Sequence, residues 1–306
     1  MTTRIALAGC GTVGRAFVRL LRETQRDVEI VRVLVRDPCI DRGVPIATDR
    51  FTTDPAEFAH TRADVVVELL GGVEPANTIV RTALGAGRAV VTANKALLAR
   101  HGAELSGLAA RHGTTLAFEG AVGGGVPMVR TLRDGLAGVG VRTITGVLNG
   151  TSNFILTRLG DGDSLAQALE EARRRGFAEA DASRDLDGRD AADKIALLAW
   201  LAFGVDPATI PIAREGIPAD AEGAVARARE RGGVLRLVAG AYRDGRGVRA
   251  WVKPLIVPLT SALARARDEE NVVEVESASS GVITLAGRGA GGDPTAAAVL
   301  ADVLAA

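Results

Sequence analysis

Cysteine is nearly absent, with Cys10 and Cys39 the only two among 306 residues. That excludes a disulfide framework and a cysteine-built zinc site, and it fits a reducing cytoplasm. Histidine is almost as scarce, and His60, His101 and His112 form no metal-ligand pattern. An excess of one charge is missing too: 37 basic residues face 37 acidic ones, a formal net charge of zero. Nucleic-acid surfaces need a basic excess, so no nucleic-acid partner is expected. No apolar run reaches the roughly 18 residues of a membrane span. The opening MTTRIALAGCGTVG has no charged region followed by a long apolar stretch and cleavage site, so neither a leader nor a membrane partner is expected.

What is present is ordinary for a globular chain, with 47% hydrophobic and 24% charged residues. The length allows two domains. The 37 glycines show no collagen period, so they are assigned to tight turns and close backbone approaches. Over the first third, strand patterns at Arg4–Gly9, Glu29–Val35, Ala63–Leu70, Arg88–Thr92 and Thr114–Phe118 alternate with helix patterns at Thr12–Arg26, Thr78–Ala86 and Lys95–His112. Such alternation predicts an α/β fold, a parallel sheet with helices on both faces. From about Glu119 the texture changes. A Gly-rich GAVGGGVP leads into an apolar helix at Met128–Leu136 and a strand at Val141–Leu148. Helices are expected over Asn153–Leu159, Leu165–Arg175, Asp190–Phe203 and Ala219–Arg229, and one strand over each of 234–243, 248–257 and 271–286, with antiparallel hairpins among the three. The tail, GRGAGGDPTAAAVLADVLAA, reads as a turn feeding a last helix, with Pro294 in its first turn.

Gly9-Cys10-Gly11-Thr12-Val13-Gly14 is a GxGxxG placed directly after a strand and opening a helix, the context in which the motif has meaning. Gly9 permits the sharp turn, Gly11 lets backbone approach a pyrophosphate, and Gly14 lets helix and sheet pack closely. The helix N-terminus supplies unpaired N–H groups and a positive dipole end for phosphate. A Rossmann-type nucleotide domain follows. The second strand runs into Val35-Arg36-Asp37, where an acid would hold a ribose hydroxyl and an arginine a 2′-phosphate. Arg36 makes NADP the expected cofactor, with NAD as the alternative.

Acids cluster at Glu179, Asp181, Asp185, Asp187 and Asp190, just before a helix pattern. Their spacing does not fit a calcium loop of the EF-hand kind. Asp190 and Lys194 are four apart and share a helix face. On spacing alone the default is an exposed ion pair worth about 0.3–0.5 kcal/mol. The alternative is a lysine anchored by Ile195, Leu197, Leu198 and Leu201 and held as a proton donor.

Together with GCGTVG, the segments ELLGG (68–72), VTANKALLA (91–99), FEGAVGGGVPMV (118–129), GVLNGTSNFIL (146–156), GFAEADASRDLDGRDAADK (176–194) and GRGAGGDPTAAAVLADV (287–303) resemble, in order, the short form of the homoserine dehydrogenases. The resemblance implies NAD(P)-dependent interconversion of L-aspartate 4-semialdehyde and L-homoserine, a step of threonine and methionine biosynthesis. It implies Lys194 as proton donor and Lys95 as a second catalytic lysine lining the cofactor and substrate site. Glu179 and Asp190 match substrate carboxylates, and Asp185 a further acid of the same loop. Gly9, Gly11, Thr12, Val13, Gly14, Arg36, Gly71, Lys95, Gly176 and Gly291 match cofactor-binding positions. Glu119 and the carbonyls of Val122, Gly124 and Val126 match a monovalent-cation site, assigned to sodium. NGTSN is read as a helix cap that in the family lies close to the active site.

Residues 1–118 plus 287–306 are then expected to form the dinucleotide-binding domain, the last helix returning to it. Residues 119–286 are expected to form an α+β domain for substrate binding, catalysis and homodimer contact. Departures from the family pattern are Phe177 for a common Tyr, Ala182-Ser183 where Pro is common, and Gly120 for Ala or Ser. The regulatory module of longer relatives has no counterpart after the tail helix, so threonine inhibition through such a module is not expected. Two rival readings stay open on sequence: a related dehydrogenase of another small amino aldehyde or oxo acid, and a catalytically silent nucleotide sensor.

Overall fold

Valine, isoleucine and alanine crowd the short apolar runs of the first third, and the runs at 5–8, 65–68 and 90–92 become strands buried on both faces, as the centre of a parallel sheet requires. The structure, a computed structural model, describes residues 2–24, 26–178 and 181–306. Two compact units are formed, one by residues 1–124 with 291–306 and the other by 125–290.

The first unit contains β1 (Thr3–Ala8), α1 (Thr12–Glu23), β2 (Val28–Leu34), β3 (Phe51–Thr52), α2 (Pro55–Ala59), β4 (Val65–Glu68), α3 (Ala76–Gly85), β5 (Ala89–Thr92), α4 (Lys95–Arg111) and β6 (Leu116–Ala117). Its six strands are parallel in the order β3-β2-β1-β4-β5-β6. The order reverses between β1 and β4, where Ala8 pairs with Glu68. In such sheets the crevice outside the strand ends at this reversal is where ligands bind. The C-terminal helix, Gly292–Ala305, belongs to this unit and packs along α1, burying Ala296, Val299 and Val303 with Phe17 and Leu21. Edge strand β3 and helix α2 are not signalled by the alternation read from sequence. β3 has only two residues, too short for a period to show. α2 is set by capping: Asp54 accepts from the N–H groups of Ala56 and Glu57, and Pro55 fills the first position.

The second unit contains α5 (Met128–Arg130), β7 (Val141–Val147), α6 (Gly150–Asp161), α7 (Leu165–Arg174), α8 (Ser183–Leu186), α9 (Arg189–Phe203), β8 (Ile212–Arg214), α10 (Ala221–Glu230), β9 (Gly233–Asp244), β10 (Gly247–Pro258), β11 (Glu270–Ser277) and β12 (Gly281–Arg288). Its mixed sheet runs β12-β11-β7-β9-β10-β8, antiparallel except for the β8–β10 pair. α9 packs on β7, β9 and β10 and is buried nearly all round, which explains its run of Ile, Leu and Ala. Two expectations are corrected. The helix over Met128–Leu136 is a single α turn followed by a π turn at Thr131–Gly135. The stretch 271–286 is a hairpin, β11 and β12 joined through Ala278-Ser279-Ser280. Among the described residues, no helix is long and apolar enough to cross a membrane.

Candidate active site

In the first unit, β1 runs straight into the Gly-rich turn. Gly9 has φ +98°, and a Cβ there would lie 2.6 Å from the carbonyl oxygen of Leu69, so both conformation and space demand glycine. A Cβ on Gly14 would collide with the Gly9 carbonyl. A Cβ on Gly11, by contrast, would meet nothing within 4 Å. Gly9 and Gly14 thus serve the fold, and Gly11 leaves an open cradle. Gly11 also caps α1 without a side-chain acceptor, so Thr12, Val13 and Gly14 offer first-turn N–H groups to an anion. The start of the C-terminal helix closes one side: a Cβ on Gly292 would come within 2.9 Å of Thr12 Cγ2, and Gly291 (φ +118°) precedes it. Arg36 is exposed just past β2. Arg42 also stands at this rim; its charge, with that of Arg15, reaches the buried Cys10 thiol, which burial nonetheless pushes up.

Beside the turn, at the end of β4, sits a carboxylate that sequence reasoning missed. Glu68 is fully buried. Its Oε2 accepts from the Thr92 hydroxyl at 2.6 Å, and its Oε1 from the Leu70 N–H at 2.8 Å and Asn94 Nδ2 at 3.3 Å. Burial raises its pKa above the ordinary value, and the same hydrogen bonds pull it back down. Asn94 also donates to the Gly72 carbonyl at 2.6 Å and caps α4 through the Leu97 N–H. Glu68 therefore ties the Leu69–Gly72 turn, which carries Gly71, to the helix start that carries Lys95. The signal was available: an acid closing an otherwise apolar strand, and an Asn directly before a helix.

In the second unit, β7 ends at Val147, and the next two residues shape the lysine site. The Leu148 carbonyl accepts from Lys194 Nζ at 2.7 Å. Asn149 caps α6 with its Oδ1 on the Ser152 N–H, and its Nδ2 donates to Asp185 Oδ1 at 2.7 Å and Asp190 Oδ2 at 2.9 Å. Lys194 Nζ lies 3.0 Å from the same Asp190 oxygen and is 6% exposed. Lys194 is therefore buried and Asp190 half-buried, not the exposed pair that spacing makes the default. NGTSN caps a helix, as expected, and also spans two acids.

The five acids separate. Asp185 and Asp190 converge on Asn149, and Asp190 on Lys194. Asp187 turns to Arg189 and Arg214, which hold its carboxyl below the usual range. Asp181 is exposed and closes a turn onto the Ser183 N–H. Glu179 lies outside the described residues. Gly176 follows α7 with φ +75°, and the Phe177 ring stands 5.1 Å from that of Phe154. Glu119 is buried in a short turn whose backbone N–H donates to Asp302 Oδ2 at 2.8 Å. Val122 and Gly124 follow it in the first unit, and Val126 belongs to the second. Among the described residues, no group of three or more His, Cys, Asp or Glu is placed to hold a metal ion.

Comparison with known proteins gives a consistent result. The homoserine dehydrogenase family model matches residues 127–304, and the model of the homoserine dehydrogenase NAD-binding domain matches residues 9–119. The homoserine dehydrogenase of Synechocystis is 39% identical over 317 aligned residues, covering 99% of this chain and 73% of the relative. A crystal structure of a homoserine dehydrogenase from Thiobacillus denitrificans matches with TM-score 0.90 at 36% identity, covering 99% of this chain and 73% of that one. A hyperthermophilic archaeal homoserine dehydrogenase in complex with NADPH matches with TM-score 0.84 at 29% identity, covering 99% and 97%.

Proposed function

The chain belongs to the homoserine dehydrogenase family, and on that premise we propose that it reduces L-aspartate 4-semialdehyde with NADPH, NAD(H) being the poorer cofactor, and that Lys194 is its proton donor. The observation that carries the reading is the Asn149–Asp185–Asp190–Lys194 cluster, in which Asn149 and Lys194 are buried and the two aspartates half-buried. Its named charges are two aspartates and one lysine. Carboxylates grouped beside a lysine suit the ammonium group of an amino-acid substrate, which they would hold by charge-assisted hydrogen bonds. The rival readings have less support: a silent sensor has no use for this cluster, and an oxo acid brings no ammonium.

The nicotinamide, when bound, supplies hydride to the aldehyde carbon. Lys194 delivers a proton to the carbonyl oxygen, where negative charge develops. The Leu148 carbonyl and Asp190 hold its amine in place and aim it. Asp190, with Asp185 and Glu179, holds the substrate ammonium, which fixes the aldehyde for attack. Gly9, Gly11, Thr12, Val13 and Gly14 hold the pyrophosphate, and Arg36, with Arg42 beside it, the 2′-phosphate. Gly71, Gly176 and Gly291 contact the cofactor through backbone. Lys95, fixed by the Asn94 cap, is the second catalytic lysine.

A monovalent cation belongs to the same proposal. The all-oxygen set of Glu119, Val122, Gly124 and Val126 has the chemistry for a hard ion such as sodium. The free thiols of Cys10 and Cys39 support a cytoplasmic location. A homodimer formed through the second unit belongs to the same proposal.

The test is nicotinamide absorbance with L-homoserine and each oxidised cofactor, on wild type and Lys194→Ala. Turnover should fall by about two to four orders of magnitude in the variant, with NADPH binding retained. Near wild-type turnover in the variant would refute the assignment of Lys194.

A further inference from the structure

A cavity of about 160 Å³ lies inside the second unit, away from the Lys194 cluster, and its walls are unusually basic. It is enclosed by the last turn of α6, by α10, by the start of β9 and by the loop before β11. Arg229, Arg236 and Arg267 line it, with Asp161 as the lone acid and Leu156 and Val225 as apolar walls. Arg158 adds a fourth guanidinium at the rim through its pair with Asp161 at 2.6 Å.

Arg236 is the residue that needs an explanation. It is 5% exposed. Its terminal nitrogens donate to two backbone carbonyls, Leu235 at 3.1 Å and Ala264 at 3.2 Å, and its Nε finds no partner. Among the described residues, no carboxylate forms an ion pair with it. Burial and the charge of Arg267 lower its pKa to about 10 against the opposing pull of the more distant Asp161, so it remains a cation at neutral pH. Buried charges are normally paired with a counter-charge.

The negative groups nearby are engaged elsewhere. Asp161 pairs with Arg158 and Arg267, and the Gly160 carbonyl accepts from Arg229. The negative end of the α6 dipole offsets part of the remaining charge, yet four guanidiniums face one carboxylate. A water in the cavity would satisfy the Nε–H without supplying charge. At about 30 Å³ per water, the cavity has room for a phosphate-sized group and not for a nucleotide. Guanidinium binds tetrahedral and planar oxyanions through two parallel hydrogen bonds.

We infer that Arg229, Arg236 and Arg267 form a binding pocket for a small oxyanion of the phosphate class, separate from the proposed catalytic cluster and independent of its assignment. The experiment uses the full chain saturated with NADPH, so that the Gly-rich turn is occupied. Inorganic phosphate, glycerol 3-phosphate and sodium chloride at matched ionic strength are compared by calorimetric titration and thermal unfolding. Phosphate or glycerol 3-phosphate should bind at one per chain and raise Tm above the chloride control; the tighter of the two identifies a free anion or a phosphate monoester as the ligand. Arg267→Ala and Arg229→Ala, both at exposed positions, should each weaken that binding about tenfold and leave turnover unchanged. Arg236→Met should abolish it. Equal Tm shifts in chloride and both phosphates, or binding as tight in Arg267→Ala as in wild type, would overturn the proposal.

Discussion

Asp190→Asn, Lys194→Met and the double variant form a cycle that measures how strongly the two charges are coupled. An exposed pair four residues apart on a helix couples by about 0.3–0.5 kcal/mol. Here the side chains are 7% and 16% exposed and their charged atoms stand 3.0 Å apart. Removing one member of a buried pair costs about 3–5 kcal/mol when the survivor is left with nothing. Neither survivor is in that position. Without Lys194, Asp190 keeps Asn149 Nδ2 and sits in the first turn of α9, where the helix dipole favours an anion. Without the Asp190 charge, Lys194 keeps the Leu148 carbonyl. The expected coupling is therefore about 1.5–3 kcal/mol, below the bare buried value and well above the surface one. Urea unfolding followed by tryptophan fluorescence is suited to the measurement, because Trp200 and Trp251, the only two, both lie in the second unit. The slope m must stay constant across the four proteins for the comparison to hold. A coupling under about 0.5 kcal/mol would mean the pair behaves as a surface pair, and the argument for a held proton donor would fail with it.

Asn149→Ala removes a helix cap, worth about 1 kcal/mol, and leaves two acids without their bridge. It should cost about 2–3 kcal/mol of stability and raise KM for L-homoserine more than it lowers kcat; an unchanged KM would count against Asn149 as the organiser of the acids. Gly11→Ala should fold with near wild-type Tm and bind NADPH about tenfold or more weakly, since its Cβ enters only the open cradle. Gly14→Ala should lose about 3 kcal/mol or more through its clash with the Gly9 carbonyl; the opposite ranking of the two variants in Tm would contradict the division of roles. Glu68 has a folded pKa raised above its ordinary value near 4.5, so its protonated form favours folding. Its contribution is fully present below the unfolded pKa and is lost as pH rises toward the folded one. The stability of wild type relative to Glu68→Gln should thus fall as pH rises above about 4.5, and a gap that widens with pH in urea titrations would refute the assignment.

Several features were legible from the sequence because a local rule constrained them. A GxGxxG between a strand and a helix can be filled in few ways, and α1 begins at Thr12 where it was expected. α9 begins at Arg189, within one residue of its expected start, and stops at Gly204 in the left-handed conformation. The β11–β12 turn was missed because Ala278-Ser279-Ser280 carries no Asn-Gly or Pro signal. The helix at Met128–Leu136 was overestimated because an apolar run cannot reveal that its second turn is wound as π. Glu68 was passed over because a strand-ending acid reads the same whether it meets water or, as here, Thr92 and Asn94.

The acidic stretch shows the division most clearly. Residue order alone determined that five carboxylates precede a helix and that Asp190 and Lys194 share its face, because helical geometry is local and repeats every 3.6 residues. Order could not say which acids serve the site. Asp185 and Asp187 are two apart, yet one meets Asn149 and the other Arg189 and Arg214. That choice depends on where β7 and α6 bring residues some forty positions earlier in the chain. Burial follows the same logic: only when α9 packs on the sheet does an i,i+4 pair worth a few tenths of a kcal/mol become one worth several times more. Charge energies depend on surrounding dielectric, and that is a property of the packed fold, not of the chain.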